Sequence, residues 1–173
     1  MGVVVIDRRD DGVARVVINR PNKRNALNDE VRHALIAELP VLLRDETVHA
    51  LVLTGEGGHF CSGGDIASMD GLDCRGARAR MKDNHTIVRL LAESEKPVVT
   101  AVEGYAVGAG AGLAMLGDTA VIADSGTIGF PFFRVGLIPD YGILHTLPRR
   151  VGGAKARQVL LYAQMVKASD AVA

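Results

Sequence analysis

Two apolar runs at the start of the chain, separated by a short polar turn, predict a β-hairpin. Residues 3–7 and 13–19 are rich in β-branched side chains, and the turn between them contains Asp11-Gly12. Asp-Gly is favoured in tight hairpin turns because glycine adopts positive φ without steric cost. We therefore expect the chain to open with two antiparallel strands.

A helical period follows the hairpin. Asn28 is a candidate N-cap, because Asp29 and Glu30 then fall in the first turn of a helix. The apolar positions at helical spacing are Val31, Leu35, Leu39 and Leu42. Pro40 is expected to kink or end this helix, since proline lacks the N–H that an interior helical position donates.

The rest of the chain alternates short apolar runs with helical segments. Runs 98–102 and 119–123 flank a glycine-rich helix, the pattern of a strand, a helix and a second parallel strand. Strand, turn and helix also recur roughly every 50 residues. These patterns predict the α/β class, arranged as a coil of β-β-α units. The remaining predicted segments are a strand at 49–54, a helix at 82–94 and a helix at 153–165.

Composition restricts the class of protein. The chain has 173 residues, enough for one domain with one core, and is 48% hydrophobic and 23% charged. Its 20 acidic and 20 basic residues balance and aromatic residues make up 4%, which disfavours a nucleic-acid partner. Cys61 and Cys74 lack metal-site or disulfide-scaffold spacing and are predicted to be free thiols in a reducing compartment. No signal peptide or membrane span is predicted, so we expect a cytoplasmic location and no membrane partner.

The most informative segment is 101–118, AVEGYAVGAGAGLAMLGD. Its glycines allow the backbone to pass very close to a neighbour, and the helix that follows begins with N–H groups that have no intrahelical partner. Such donors favour a phosphate, a carboxylate or an oxygen that becomes negative during a reaction.

A second glycine pair follows the strand at 49–54, in the segment HFCSGGDI (59–66). The carboxyl ends of strands in open α/β sheets are where ligands bind. If the N–H groups of Gly64 and Ala109 point at one carbonyl oxygen, they form an oxyanion hole. The alternative is that these glycines only make turns.

Four motifs in this order resemble the crotonase, or enoyl-CoA hydratase/isomerase, superfamily. They are PNKRNAL (21–27), FCSGGDI (60–66), KPVVTAVEGYAVGAGAGLAM (96–115) and GLIPDYG (136–142). The resemblance covers essentially the whole chain. It implies a spiral of β-β-α turns, a homotrimer or a hexamer built as a dimer of trimers, and an acyl-CoA substrate. It also implies that the domain of residues 1–173 is incomplete at its C-terminal end, where the family's further helices cover the acyl pocket.

The resemblance also assigns residues. Gly64 and Ala109 match the two amide donors that hold the thioester carbonyl. The residues expected along the coenzyme A and pantetheine path are Arg24, Ala26, Ser62, Asp65 and Ile66. Gly108, Pro131 and Phe132 complete the predicted substrate-binding set. No metal is expected. No separate cofactor is expected either, because coenzyme A is part of the substrate.

The predicted reaction depends on the acid–base groups. Hydratases of this family use two glutamates, and this chain has Gly112 and Phe132 at the matching positions. Asp140 remains, and the resemblance to isomerases with a single aspartate makes it the predicted catalytic residue. One carboxylate suffices for a 1,3-proton shift through an enolate. The apolar side chains expected to bury Asp140 and raise its pKa are Phe130, Phe132, Phe133 and Leu137.

Several alternatives stay open at this point. Pro-Asp-Tyr-Gly is also an ordinary turn sequence, and Tyr141 and His145 are neighbouring acid–base candidates. The chain is alternatively a hydratase with atypical acid–base groups or a non-catalytic acyl-CoA binder. A dinucleotide-binding fold is disfavoured because the glycines fall as G-x-G-x-G instead of G-x-G-x-x-G.

Overall fold

A computed structural model describes residues 2–171, whose strands form two sheets. The larger sheet has five strands in the order β1-β2-β3-β4-β6, and the smaller has three in the order β5-β7-β8. The strands are β1 (Val4–Arg8), β2 (Val13–Ile18), β3 (Ala50–Gly55), β4 (Val98–Val102), β5 (Tyr105–Val107), β6 (Thr119–Ile122), β7 (Thr127–Gly129) and β8 (Met165–Lys167). The helices are α1 (Asp29–Arg44), α2 (Cys74–Ala92), α3 (Ala109–Leu116), α4 (Ile143–Val151), α5 (Gly153–Leu161) and α6 (Ala168–Ala171).

The larger sheet confirms the predicted hairpin and the predicted parallel pairing of runs 98–102 and 119–123, which are β4 and β6. β1 runs antiparallel to β2, with Val4 opposite Ile18, while β2-β3, β3-β4 and β4-β6 are all parallel. In the smaller sheet β5 and β7 are parallel and β8 is antiparallel to β7. The α/β class is therefore confirmed.

The β-β-α repeat is visible in the second half of the chain. β4, β5 and α3 form one unit, and β6, β7 and α4 form the next. Within each unit the first strand joins the larger sheet and the second joins the smaller sheet. The chain therefore coils along both sheets, which is the predicted spiral.

Helix α1 begins where its sequence predicts but passes through its proline. The Asn28 side chain accepts a hydrogen bond from the Val31 N–H at 3.0 Å, as expected of an N-cap. Pro40 is expected to end or kink this helix. It does not end the helix, because α1 continues to Arg44. Leu39 and Leu42 on either side are buried in the core, and this packing outweighs the hydrogen bond that proline cannot donate.

Two other predicted helix boundaries are wrong. Helix α2 begins eight residues before position 82, at Cys74, with the Asp73 side chain accepting from the Gly76 N–H at 2.7 Å. Its first half is strongly polar and shows no apolar period. The helix predicted at 153–165 is α5, which stops at Leu161, and Ala163 then takes positive φ (48°) so that β8 turns back onto β7.

The main core lies between the larger sheet and the helices. Its apolar members include Val16 and Ile18 of β2, Leu51 and Leu53 of β3, and Leu35 of α1. Helix α3 is buried along its whole length. Burial on every side fixes the position of its first residue, Ala109, relative to the sheet.

The Asn28 cap gives a test of the α1 boundary. We expect Asn28→Ala to lower the free energy of unfolding by about 1 kcal/mol, because the Val31 N–H loses its acceptor. Chemical denaturation of both proteins measures the difference. Asn22→Ala is the matched control, since Asn22 is exposed, and it should change stability by less than about 0.5 kcal/mol. Equal effects at the two positions would contradict the capping role.

Candidate active site

Two loops meet backbone to backbone at the carboxyl ends of β3 and β4. The Phe60 N–H donates to the Glu103 carbonyl at 2.8 Å, and the Cys61 N–H donates to the Tyr105 carbonyl at 2.8 Å. The Val107 N–H donates back to the Cys61 carbonyl at 2.9 Å. These bonds join the two glycine-rich segments that the sequence singles out.

Glycine is required where these loops touch. A Cβ at Gly110 would lie 2.2 Å from the Cys61 carbonyl oxygen, and one at Gly63 would lie 2.7 Å from the Val107 carbonyl oxygen. Both distances are shorter than any van der Waals contact, and the obstructing atoms are backbone. The turn interpretation of these glycines is therefore incomplete, since they also bring two main chains together.

The amides of Gly64 and Ala109 are left without protein acceptors. The Leu27 N–H donates to the Gly63 carbonyl at 2.8 Å and the Asp65 N–H donates to the Leu27 carbonyl at 3.0 Å, which turns the Gly64 N–H the other way. Ala109 is the first residue of α3, so its N–H has no intrahelical partner. Within residues 2–171 neither amide donates to a protein group.

Both amides line one cavity of about 250 Å³. The cavity brings together eight of the predicted site residues: Ser62, Gly64, Ile66, Gly108, Ala109, Pro131, Phe132 and Asp140. Most of these residues belong to the two joined loops and the start of α3. Pro131, Phe132 and Asp140 belong to the segment before α4. Residues far apart in sequence therefore converge on one small space.

Three predicted site residues lie outside that lining. Asp65 is paired with Arg20 at 3.2 Å, and the same guanidinium donates to the Ala26 carbonyl at 2.6 Å. Arg24 lies on the surface, 5.7 Å from the centroid of the Tyr105 ring. Ala26 and Asp65 thus hold the shape of the first loop, and contact of these three with coenzyme A stays a prediction.

Asp140 lines the cavity beside Asn84 of α2. Its Oδ2 accepts a hydrogen bond from the Asn84 amide at 3.3 Å, and its Oδ1 is buried without a hydrogen-bond partner. Burial raises the pKa of Asp140, against opposing effects of a backbone hydrogen bond, the Arg80 charge and Asn84. The Tyr141 hydroxyl donates to the other end of Asn84 at 3.0 Å, which fixes the amide that holds Asp140.

The apolar surroundings of Asp140 differ in part from the prediction. Phe132 and Leu137 line the cavity with it, whereas Phe133 is exposed and Phe130 is buried elsewhere in the core.

The two other acid–base candidates, Tyr141 and His145, fit the role less well than Asp140. Burial raises the pKa of the Tyr141 hydroxyl, which keeps it a hydrogen-bond donor. His145 is exposed on α4 beside Arg149 and does not line the cavity.

Sequence reasoning missed three polar residues of the cavity wall, which are Arg32 of α1 and Arg80 and Asn84 of α2. Their exposed fractions are 1%, 8% and 2%. Charged and amide side chains are seldom so buried without a structural or functional reason. A signal existed for Arg32, which lies one turn before Leu35 on the apolar side of the predicted helix. No such signal existed for Arg80, because the helix predicted at 82–94 begins after it.

Other classes of site receive no support from the described residues. Between residues 2 and 171 no three metal-ligating side chains lie together, and no helix there is long and apolar enough to cross a membrane. Cys61 and Cys74 are free thiols, as predicted. Cys61 is buried in the loop contact, and burial raises the pKa of its thiol to about 12.

Comparison with known proteins identifies the family. A family model described as enoyl-CoA hydratase/isomerase matches residues 8–173, so the chain belongs to that family. This assignment replaces the dinucleotide-binding alternative. Among curated relatives, the 1,2-epoxyphenylacetyl-CoA isomerase of Escherichia coli K12 is 38% identical over 173 residues, covering 96% of this chain and 65% of the relative.

Other relatives carry a different activity in their names. The crotonyl-CoA hydratase of Syntrophomonas wolfei is 34% identical over 168 residues, with 96% of this chain and 65% of the relative covered. The crystal structure of an enoyl-CoA hydratase from Thermoplasma volcanium superposes with a TM-score of 0.93 at 28% identity, covering 99% of this chain and 68% of that one. The chain spans about 65% of the length of the two curated relatives.

The contact at Gly110 gives a test of the loop arrangement. We expect Gly110→Ala to destabilise the protein by about 1–3 kcal/mol, because the new methyl group would overlap the Cys61 carbonyl. Thermal and chemical unfolding measure this loss. Gly153→Ala is the matched control, since a Cβ there meets nothing within 4 Å. If Gly110→Ala unfolds like the wild type, the loops are not in close contact.

Proposed function

We propose that this chain binds an acyl-CoA thioester and isomerises an enoyl double bond by a 1,3-proton shift. The observation that carries the proposal is one cavity lined by two amides without acceptors and one buried carboxylate oxygen without a partner. The amides of Gly64 and Ala109 would hold the thioester oxygen. Asp140 would move the proton.

The proposed reaction uses no group beyond these three. The ionised carboxylate of Asp140 removes a proton from carbon 2 of a 3-enoyl thioester, and the electron pair moves onto the thioester oxygen. The two amides, backed by the dipole of α3, stabilise that enolate. Asp140 then returns the proton to carbon 4, so that the double bond moves from carbons 3 and 4 to carbons 2 and 3. The reverse reaction uses the same groups.

The cavity lacks the second acid–base group that the addition of water to a double bond would need. A hydratase must activate water and also protonate carbon, which is work for two acid–base groups. Asp140 is the only carboxylate among the described residues that line the cavity. At Gly112, where the resemblance would place a hydratase glutamate, a Cβ would lie 2.3 Å from the Cβ of Tyr141. A glutamate would therefore displace the residue next to Asp140.

The relatives' names support the family of reactions and both of its branches. One of the two named relatives is an isomerase and the other a hydratase. Preference for isomerisation in this chain rests on its own residues. The homotrimer or hexamer, the cytoplasmic location and the absence of any cofactor beyond coenzyme A remain parts of this proposal.

Replacing the carboxylate tests the role of Asp140. We expect Asp140→Asn to lower kcat for 3-enoyl-CoA isomerisation by about 10²–10⁴-fold, the usual contribution of a general acid–base group. Ultraviolet absorbance of the conjugated thioester follows the reaction. Asp124→Asn is the matched control, because Asp124 is exposed. Hydration of 2-enoyl-CoA by the wild type would favour the hydratase alternative, and thioester binding without turnover would favour the non-catalytic binder.

The pH dependence of the reaction gives an independent test. Isomerisation needs ionised Asp140, and burial raises the pKa of this carboxyl. We therefore expect kcat/KM to fall as pH is lowered, with an apparent pKa above the ordinary aspartate value of about 3.9. Circular dichroism over the same range checks that the protein stays folded. A profile that stays flat down to the ordinary aspartate value would exclude Asp140 as the base.

A further inference from the structure

Two arginines stand at the wall of the cavity, and the proposed isomerisation uses neither. Arg32 comes from α1 and Arg80 from α2, and both line the cavity beside Asp140. More than nine-tenths of each residue is buried. A guanidinium removed from water to this degree normally has an anionic partner.

Arg80 has no such partner among the described residues. One of its nitrogens, Nη1, donates to the Ser68 hydroxyl at 2.8 Å. Its Nη2 donates to no protein group within residues 2–171, and no carboxylate there lies within 4 Å of its guanidinium. The same Nη2 lies 3.1 Å from the place a Cβ would occupy on Gly64. A free edge of the guanidinium therefore stands next to the proposed thioester site.

Arg32 adds a second guanidinium group to the wall of the cavity. It donates to the Leu27 carbonyl at 3.0 Å and pairs with Asp29, whose side chain is 68% exposed. Its Nε is buried without a hydrogen-bond partner. Burial, together with the like charge of Arg80, lowers the pKa of Arg32. Two guanidinium groups thus share a cavity that holds one carboxylate.

The shape and charge of this wall indicate the kind of acyl group that fits. A purely hydrocarbon acyl group would displace water from Arg80 and offer no acceptor in return. A carboxylate offers two oxygens to the guanidinium fork and pairs with the charge of Arg80. The cavity of about 250 Å³ contains both Arg80 and the amides of Gly64 and Ala109, so one acyl thioester can reach all three groups.

We propose that the acyl group of the substrate carries a carboxylate of its own and that Arg80, backed by Arg32, binds it. This inference rests on the thioester function proposed above and names its substrate class. Arg80 is then the residue that determines specificity, and the amides of Gly64 and Ala109 hold the thioester at the other end of the acyl group.

The test compares thioesters that differ only in charge. Glutaryl-CoA is matched with 5-methylhexanoyl-CoA and adipyl-CoA with 6-methylheptanoyl-CoA, because an isopropyl group replaces the carboxylate in each pair. All four acyl groups are saturated, so binding to the full chain is measured by calorimetry without turnover. We expect the carboxylated member of at least one pair to bind at least tenfold more tightly to the wild type.

Variants assign the preference to Arg80. Arg80→Gln should bring the Kd values within each pair close together by weakening the carboxylated member, and Arg80→Lys should keep part of the preference. Arg78→Gln, at an exposed position of the same helix, should behave as the wild type. Circular dichroism establishes that each variant folds. If Arg80→Gln does not fold, the wild-type comparison decides the question alone.

The outcomes separate this inference from the function beneath it. Equal or tighter binding of the uncharged member in both pairs would overturn the carboxylate site and leave the thioester function standing. The carboxylate site would also be overturned if Arg80→Gln kept the full binding preference for the carboxylated thioesters. This conclusion would stand even if the variant slowed turnover of an uncharged enoyl-CoA. Failure of all four thioesters to bind would overturn the proposed function itself.

Discussion

The structure depends on two stretches of main chain that touch without side chains between them. Residues 60–64 and 103–110 are joined by backbone hydrogen bonds, and Gly63 and Gly110 leave no space for a Cβ at the contact. This approach fixes the first turn of α3 against the loop after β3. The amides of Gly64 and Ala109 therefore line one cavity as a result of how the sheets and α3 pack, and no flexible side chain has to hold them there.

The other half of the cavity is built differently, from side chains on two helices that pack against each other. Asn84 of α2 joins the Asp140 carboxylate to the Tyr141 hydroxyl, so the acid is oriented by a helix 56 residues earlier in the chain. Arg32 and Arg80 approach from α1 and α2. Because main chain supplies the two amides and helix side chains supply the other polar groups, substitutions on the helices can alter the cavity without moving the amides.

Sequence reasoning predicted the features that are local and missed those that depend on packing. The hairpin, the Asn28 cap and both glycine-rich loops rest on a few adjacent residues each. Strands β5, β7 and β8 have only three residues, too few to show a period. Arg80 becomes part of the site only because α2 begins at Cys74, well before the predicted start, and the polar residues around it do not indicate this. Asn84 lies within the predicted helix, but its contact with Asp140 depends on how α2 packs.

The charges of the cavity couple substrate binding to the strength of the proposed base. Burial raises the pKa of Asp140, while the positive charge of Arg80 opposes the rise by favouring the ionised form. An anionic acyl group bound at Arg80 would cancel part of that opposing effect and add a negative charge near the acid. The pKa of Asp140 would then rise further when such a substrate binds. Asp140 would therefore become a stronger base in the complex, where a proton has to be removed from carbon, than in the free protein.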